Sequence, residues 1–263
     1  MRRIDSGCPE PLGVTLVPGG VNVSVFSAHA AAVELCLFDA SGCTEQQRVA
    51  LPDRTGDVFH GFVADVAPGQ RYGLRASGPY DPVHGHRFNP AKLLVDPYAR
   101  GLDRPFALHP SLFGERPDGA RDDTDSAHHV PKALVLPEFA DARATRPRVP
   151  LSRAIVYELH VRGFTQLNPA IPEALRGTCA GLAHPAALAH LVRLGVTTVE
   201  LMPVAAGIDD WHLGPLGLTN YWGYNPIAPM VPDMRLAPGG MAELADCVAT
   251  LHQAASRCCS TSC

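Results

Sequence analysis

The sequence predicts a chain in two parts, an antiparallel β-sandwich followed by an α/β segment that opens a parallel sheet. Three observations carry this. Residues 11 to 77 repeat the two-residue period of half-buried strands, broken at short intervals by Gly, Pro and Asp turns. Residues 78 to 150 lose that period and fill with loop dipeptides. After Pro150 the pattern becomes strand, helix, strand, with apolar runs in place of alternation.

In order, Val21 to Ser27 (VNVSVFS) is apolar at every second position, and Ala32 to Phe38 (AVELCLF) does much the same before the turn DASG at 39 to 42. Val58 to Val66 and Gln70 to Ala76 follow, separated by Pro68 and Gly69. Short strands at this spacing predict a sandwich, and about 90 residues suffice for one to fold alone. GPYDP, HGHRFNP and DPY are loop signals, and Thr145 to Pro150 reads as a linker. Ala154 to Val161 (AIVYELHV) is the next strand. His184 to Leu194 is a helix with Leu188, Leu191, Val192 and Leu194 on one side, Pro185 in its first turn and Gly195 past its end. Val196 to Val204 is a β-branched strand, so this βαβ unit should pair its strands in parallel. Gly240 to Gln253 is a second helix with Leu244, Val248 and Leu251 on one face.

Composition narrows the function classes. Net charge is −4 with acids and bases interspersed, which argues against a nucleic-acid partner. No apolar stretch reaches the roughly 18 residues of a membrane span. Two arginines near the N-terminus lack the apolar run of a secretory signal, so a cytoplasmic location is the expectation. Cys8, Cys36, Cys43, Cys179 and Cys247 are scattered, whereas Cys258, Cys259 and Cys263 crowd the tail. Without paired ligands elsewhere this is neither a zinc pattern nor a disulfide framework, and we expect no metal and no cofactor.

Several segments together carry a resemblance. YELHVRGFT at 157 to 165, then PEALRGTCAGLAHP at 172 to 185, VELMPV at 199 to 204 and NYWGYNP at 220 to 226 resemble the opening of the catalytic barrel of bacterial glycogen debranching enzymes and isoamylases, a branch of the α-amylase clan. GHRFNPAKLLVDPY at 85 to 98 resembles the end of their N-terminal module. The resemblance implies an immunoglobulin-like, glycogen-binding-type sandwich at 1–100, a loop and linker at 101–150, and the first part of a (β/α)8 TIM barrel at 151–254, incomplete because such barrels need roughly 200 residues. It implies hydrolysis of α-1,6 branch linkages in glycogen or limit dextrin, with a branched α-glucan as partner. Alternatives are a non-catalytic glucan-binding module and a trehalose-releasing relative of the clan.

Retaining glycosidases need two carboxyl groups about 5 Å apart across the scissile bond. The family carries these on later barrel strands, so no catalytic residue is transferred and the chain as it stands is expected to be inactive. Tyr224 matches the family's aromatic platform under the sugar at the cleavage point, and Tyr221 and Trp222 are its neighbours. A flat ring suits a sugar's apolar face, although aromatic side chains more often simply pack a loop. Glu158 and Glu200 lie within strands and read as structural, Glu158 pairing with Arg162. Asp209 and Asp210 read as solvated, and His84 and His86 as loop packing. Both tryptophans lie outside the sandwich, so sugar binding by residues 11 to 100 is not expected.

The tail at 255–263 fits no strand pattern. One choice among the synonymous codons for Ala254 to Cys263 is GCG GCA TCG AGG TGT TGC TCG ACG TCG TGT. One guanine added after the first codon makes the string read AGIEVLLDVV, the third strand that the resemblance calls for. We therefore read the tail as aberrant, the product of a shifted frame. A gene read showing an intact frame with different codons would refute this. With two parallel strands and bare apolar faces, the fragment should aggregate.

Overall fold

Antiparallel pairing organises the first of two units, Met1–Pro137; the second spans Glu138–Cys263. The computed structural model describes residues 2–138, 146–254 and 257–260. In chain order the first unit has β1 (Ile4–Asp5), β2 (Gly13–Val17), β3 (Gly20–Phe26), β4 (Ala32–Phe38), β5 (Glu45–Ala50), β6 (Asp53–Thr55), β7 (Val58–Ala64) and β8 (Arg71–Ser77). A short hairpin of β9 (Tyr80–Asp81) and β10 (His86–Arg87) follows, then β11 (Ala133–Leu134). One sheet runs β1-β7-β3-β2, with β6 also on β7, and the other runs β11-β8-β4-β5. The two build a β-sandwich whose core includes Val21, Val23, Leu35, Leu37 and Val63, all fully buried. At the β2–β3 tip, Pro18 precedes Gly19 at φ +84°, the combination a type II turn requires.

The alternation in VNVSVFS is only half of the story. Asn22 and Ser24, the outward positions, are buried too. The N-terminal segment covers them and satisfies them. Asn22 accepts the Cys8 N–H at 2.7 Å and donates to the Cys8 carbonyl at 2.9 Å, and Ser24 donates to the Pro9 carbonyl at 2.6 Å. Buried polar groups are tolerated when paired in this way. The first unit also extends beyond residue 100, into the stretch read from sequence as loop and linker. Leu102 bridges Ala133, and β11 pairs with β8.

Lys132 is fully buried in this unit, over the Phe38 ring, and donates to the carbonyls of Ala127 and Val130. Burial, aided by Arg104, lowers its pKa to about 8. A buried amine that sheds its proton before the unfolded chain does gains stability as pH rises between those two pKa values. Burial pushes the Cys36 thiol up to about 12, which works the other way once unfolded thiols ionise near pH 9. The window for Lys132 is therefore pH 8 to 9. There we expect the unfolding free energy to rise by about 0.5–1 kcal/mol in urea titrations, and Lys132→Met to flatten that rise.

The second unit centres on a parallel sheet. Its elements are β12 (Val156–Leu159), α1 (Val161–Thr165), α2 (Cys179–Leu182), α3 (Pro185–Arg193), β13 (Thr198–Leu201), β14 (Ala205–Gly207), β15 (Pro226–Pro232), α4 (Gly240–Gln253) and β16 (Arg257–Ser260). The order β12-β13-β16 is parallel throughout, with Leu159 opposite Leu201 and Leu201 opposite Ser260. Leu159, Leu182, Leu191, Val199, Leu201 and Leu251 make its core. Pro185 opens α3 and Gly195 lies just past it at φ +74°. Among the described residues no helix is long and apolar enough to cross a membrane.

Three expectations need correction. Val192 and Leu194 are half exposed, so the core face of α3 is Ala187 and Leu191 with Leu188 beside them. On α4, Cys247 joins Leu251 in the core, which the leucine–valine pattern missed. The tail does contain a strand. Arg257 to Ser260 pair with Thr198 to Leu201, because ladder bonds need only backbone placed beside β13 by the preceding helix. The sheet thus has three strands rather than two. Residues 255, 256 and 261–263 of that tail lie outside the described residues.

Candidate functional site

Parallel pairing puts the carboxyl ends of β12 and β13 at one edge of the sheet. His160 follows β12 directly, and Pro203 and Val204 follow β13. In α/β sheets this is the edge where ligands bind. Just beyond it, β14 and β15 pair antiparallel and hold between them the loop 208–225. That loop carries both tryptophans of the chain, together with Tyr221 and Tyr224.

His160 anchors the loop. It is the N-cap of α1, and its Nδ1 accepts the backbone N–H groups of Arg162 at 3.1 Å and Gly163 at 3.2 Å. A neutral imidazole that accepts at Nδ1 carries its proton on Nε2. Nε2 accordingly donates to the Tyr221 carbonyl at 2.6 Å. The same ring stacks on Tyr221, with centroids 4.0 Å apart and planes 6° from parallel. Trp222 stands edge-on to Tyr221 at 5.2 Å and 86°. Gly163 makes this approach possible, since a Cβ there would lie 2.5 Å from the Tyr221 hydroxyl. Gly223 combines φ +78° with a Cβ direction 3.1 Å from the Pro203 carbonyl oxygen, so only glycine lets the loop pass that strand end without strain.

A charged network holds the other side. Arg235 forks onto Asp233, with Nη2 at 2.6 Å and Nε at 3.0 Å from the carboxylate oxygens, and reaches Asp209 through Nη1 at 3.0 Å. The hydrogen bond to Asp233 raises the guanidinium's pKa still further. The Asp209 oxygen that receives Arg235 also accepts the Asn220 N–H at 2.8 Å. The Asn220 side chain in turn accepts the Gly223 N–H at 3.1 Å. Arg162 donates to the Arg235 carbonyl at 3.3 Å. His160, Arg162, Pro203, Asn220, Tyr221 and Arg235 line a small cleft here.

The aromatic residues read from sequence divide. Tyr221 stacks on His160 and Trp222 stands edge-on to both, while Tyr224 makes no ring contact among the described residues. All three are exposed, at 44%, 57% and 46%, although one face of Tyr221 is covered by His160. The acids depart from expectation. Asp209 is not merely solvated but bound on two sides, whereas Glu158 is exposed and Arg162 spends its guanidinium on a carbonyl. Glu158 and Glu200 are register partners and sit short of the strand ends. His84 pairs with Asp81 at 2.6 Å on the surface and His86 packs edge-on against His29, so they are not a joint ligand pair. Among the described residues no set of three His, Cys, Asp or Glu stands together as metal ligands. Sequence reading missed His160, Asn220, Asp233 and Arg235. The available signal was an asparagine three residues before a glycine, a turn pattern; His160 fell inside the strand expected over Ala154 to Val161, which in the structure ends at Leu159, with Val161 opening α1.

Residues 11–99 match the family Carbohydrate-binding module 48 (Isoamylase N-terminal domain). Over 262 residues and 97% of its length, the chain is 49% identical to a glycogen debranching enzyme of Yersinia enterocolitica and 47% identical to one of Yersinia pseudotuberculosis. It spans 39% of the length of each. Among solved structures it resembles pullulanase from Paenibacillus barengoltzii, with a TM-score of 0.66 at 21% identity, covering 95% of this chain and 37% of that one. Pullulanase from Bacillus acidopullulyticus gives 0.67 at 19% identity, covering 95% and 29%. At such identities the structural likeness speaks for the fold alone.

Proposed function

We propose, from the premise that this chain is the counterpart of the N-terminal two-fifths of a bacterial glycogen debranching enzyme, that it serves the hydrolysis of α-1,6-glucosidic branch linkages in glycogen or limit dextrin. The identity of 49% across 97% of the chain is the observation that carries this reading. We assign residues 1–100 to the glycogen-binding-type module, 101–150 to a connection that first adds β11 to that module's sheet, and 151–254 to the start of a (β/α)8 barrel whose first strands are β12 and β13. Under this reading the loop 208–225 lies on the barrel's active-site face.

Tyr224, Trp222 and Tyr221 are our substrate-binding residues. Exposed rings in a loop at strand ends are suited to stack on glucose faces. None of the acids nearby is assigned to catalysis. Asp209 and Asp233 both neutralise Arg235, and a carboxylate so held is a poor nucleophile for the sugar. The attacking carboxylate and the acid that protonates the leaving oxygen would come from later strands of the barrel.

The test uses the chain's two tryptophans, both in the loop. In the Trp211→Phe protein, emission reports Trp222 alone. Maltoheptaose should quench it saturably, and Tyr224→Ala should weaken binding about tenfold, a loss of 1.4 kcal/mol. The 263-residue chain should release no reducing sugar from glycogen. Absence of any quenching would remove the platform assignment, and release of reducing ends would overturn the assignment of catalysis to later strands.

A further inference from the structure

We infer that Arg235 is a positioning residue for the aromatic loop, acting through Asp209 rather than on the sugar. The inference rests on the platform reading above but has its own observable. The loop 208–225 is fixed at its base by β14 and β15, and its aromatic segment, residues 220–224, returns to that base just before β15, where further contacts set the direction of its rings. Two anchors do this. One is His160, which takes the Tyr221 carbonyl and ring. The other runs from the Arg235 fork to Asp209, from Asp209 to the Asn220 N–H, and from the Asn220 side chain to the Gly223 N–H. Tyr221 and Trp222 lie between Asn220 and Gly223, inside that last turn.

The geometry favours relay over plain ion pairing. Asp209 and Arg235 are each about one-third exposed, and pairs so placed contribute little to stability by themselves. A single Asp209 oxygen, however, serves two donors on different segments. Losing Arg235 frees the carboxylate to swing into water and takes the acceptor of the Asn220 N–H with it. Asp233 keeps its own place on Arg235, and its backbone N–H is bonded to the Val204 carbonyl at 2.7 Å. The fork therefore has a fixed side and a relaying side. Lysine could not serve both, because a point ammonium lacks the planar fork.

The prediction separates hydrogen-bond relay from charge. Asp209→Asn keeps an oxygen where both donors need one; Asp209→Ala does not. Without sugar, in the Trp211→Phe background, Arg235→Gln and Asp209→Ala should each lower Trp222 anisotropy and shift its emission to the red, while Asp209→Asn should leave both unchanged. With maltoheptaose, Arg235→Gln and Asp209→Ala should each raise Kd about tenfold, and the double variant should be no worse than either single one, as expected of residues acting in one chain. Asp209→Asn should stay within about twofold. Far-UV circular dichroism checks that each variant is folded. If Arg235→Gln fails to fold, Asp209→Ala and Asp209→Asn decide the matter between them. Unchanged Trp222 anisotropy in folded Arg235→Gln or Asp209→Ala, or additive losses in the double variant, would overturn the relay. Should wild-type protein show no quenching by sugar, the platform reading fails, and the sugar-free anisotropy still judges Arg235.

Discussion

Replacing Arg75 by alanine should destabilise the first unit by about 3 kcal/mol. Arg75 sits in the middle of β8, 1% exposed, and joins three separate segments. It donates to Glu45 of β5 at 3.1 Å, to both Asp125 oxygens at 2.9 and 3.0 Å, and to the Pro90 carbonyl at 2.8 Å. Truncation leaves a cavity and strands the acceptors that burial has cut off from water. Asp125 is 61% exposed and can be rehydrated, which keeps the loss at the low end of the range for broken buried pairs. Acid titration offers a second readout. Burial pushes the Glu45 carboxyl up, but Arg48 and Arg75 more than offset this and hold it below the usual carboxylate range. Burial also opposes ionisation of Asp125, which the Ala127 N–H and Arg75 bring down in the same way. Groups depressed in the folded state add stability above their unfolded pKa and lose it as pH falls through the folded one. Urea midpoints of the first unit should therefore fall between about pH 4.5 and lower values in the native sequence, and fall less in Arg75→Ala. An unaltered midpoint at neutral pH would show that the pairs contribute nothing net.

Gly181→Ala should cost the second unit a similar amount, about 3 kcal/mol, the upper end for an overpacked site. A Cβ at Gly181 would lie 2.2 Å from the Leu175 carbonyl oxygen and 3.2 Å from the Thr165 hydroxyl. Neither neighbour can yield cheaply. The Leu175 carbonyl accepts both the Thr178 N–H at 3.2 Å and its hydroxyl at 2.8 Å. Thr165 is fully buried and accepts the Gly177 N–H at 2.8 Å. The four-residue α2 would have to move bodily, taking Leu182 out of the core. Gly214→Ala is the control, because an added methyl there meets nothing within 4 Å and should change stability by no more than about 0.5 kcal/mol. Equal urea midpoints for the two variants would contradict the packing described.

What could be read from the sequence followed from periodicity. Ala32–Phe38 and Gly240–Gln253 fall where the pattern places them, and Val21–Ser27 is shifted by one residue from the observed Gly20–Phe26. The elements missed are those whose stability comes from partners rather than pattern. β5 (EQQRVA) is polar enough to read as loop, yet it is an edge strand with one face open to water. β15 (PIAPMVP) contains three prolines, which edge position permits and periodicity forbids. β16 (RCCS) pairs only because β13 lies beside it. The site shows the same division. Tyr221, Trp222 and Tyr224 stood out as aromatic residues in a loop, whereas His160 and Arg235 act through contacts across 61 and 26 residues of chain, to Tyr221 and Asp209, that no local pattern encodes.

We propose that this chain supplies the sugar-binding front of a debranching hydrolase. The most direct measurement is made on a chimera in which residues 1–254 replace the corresponding N-terminal part of the Yersinia enterocolitica enzyme. We expect the chimera to release short linear maltosaccharides from β-limit dextrin, and a Tyr224→Ala chimera to do so with a raised KM. A folded chimera that leaves the branch linkages intact, while the Yersinia protein itself cleaves them under the same conditions, would contradict the account.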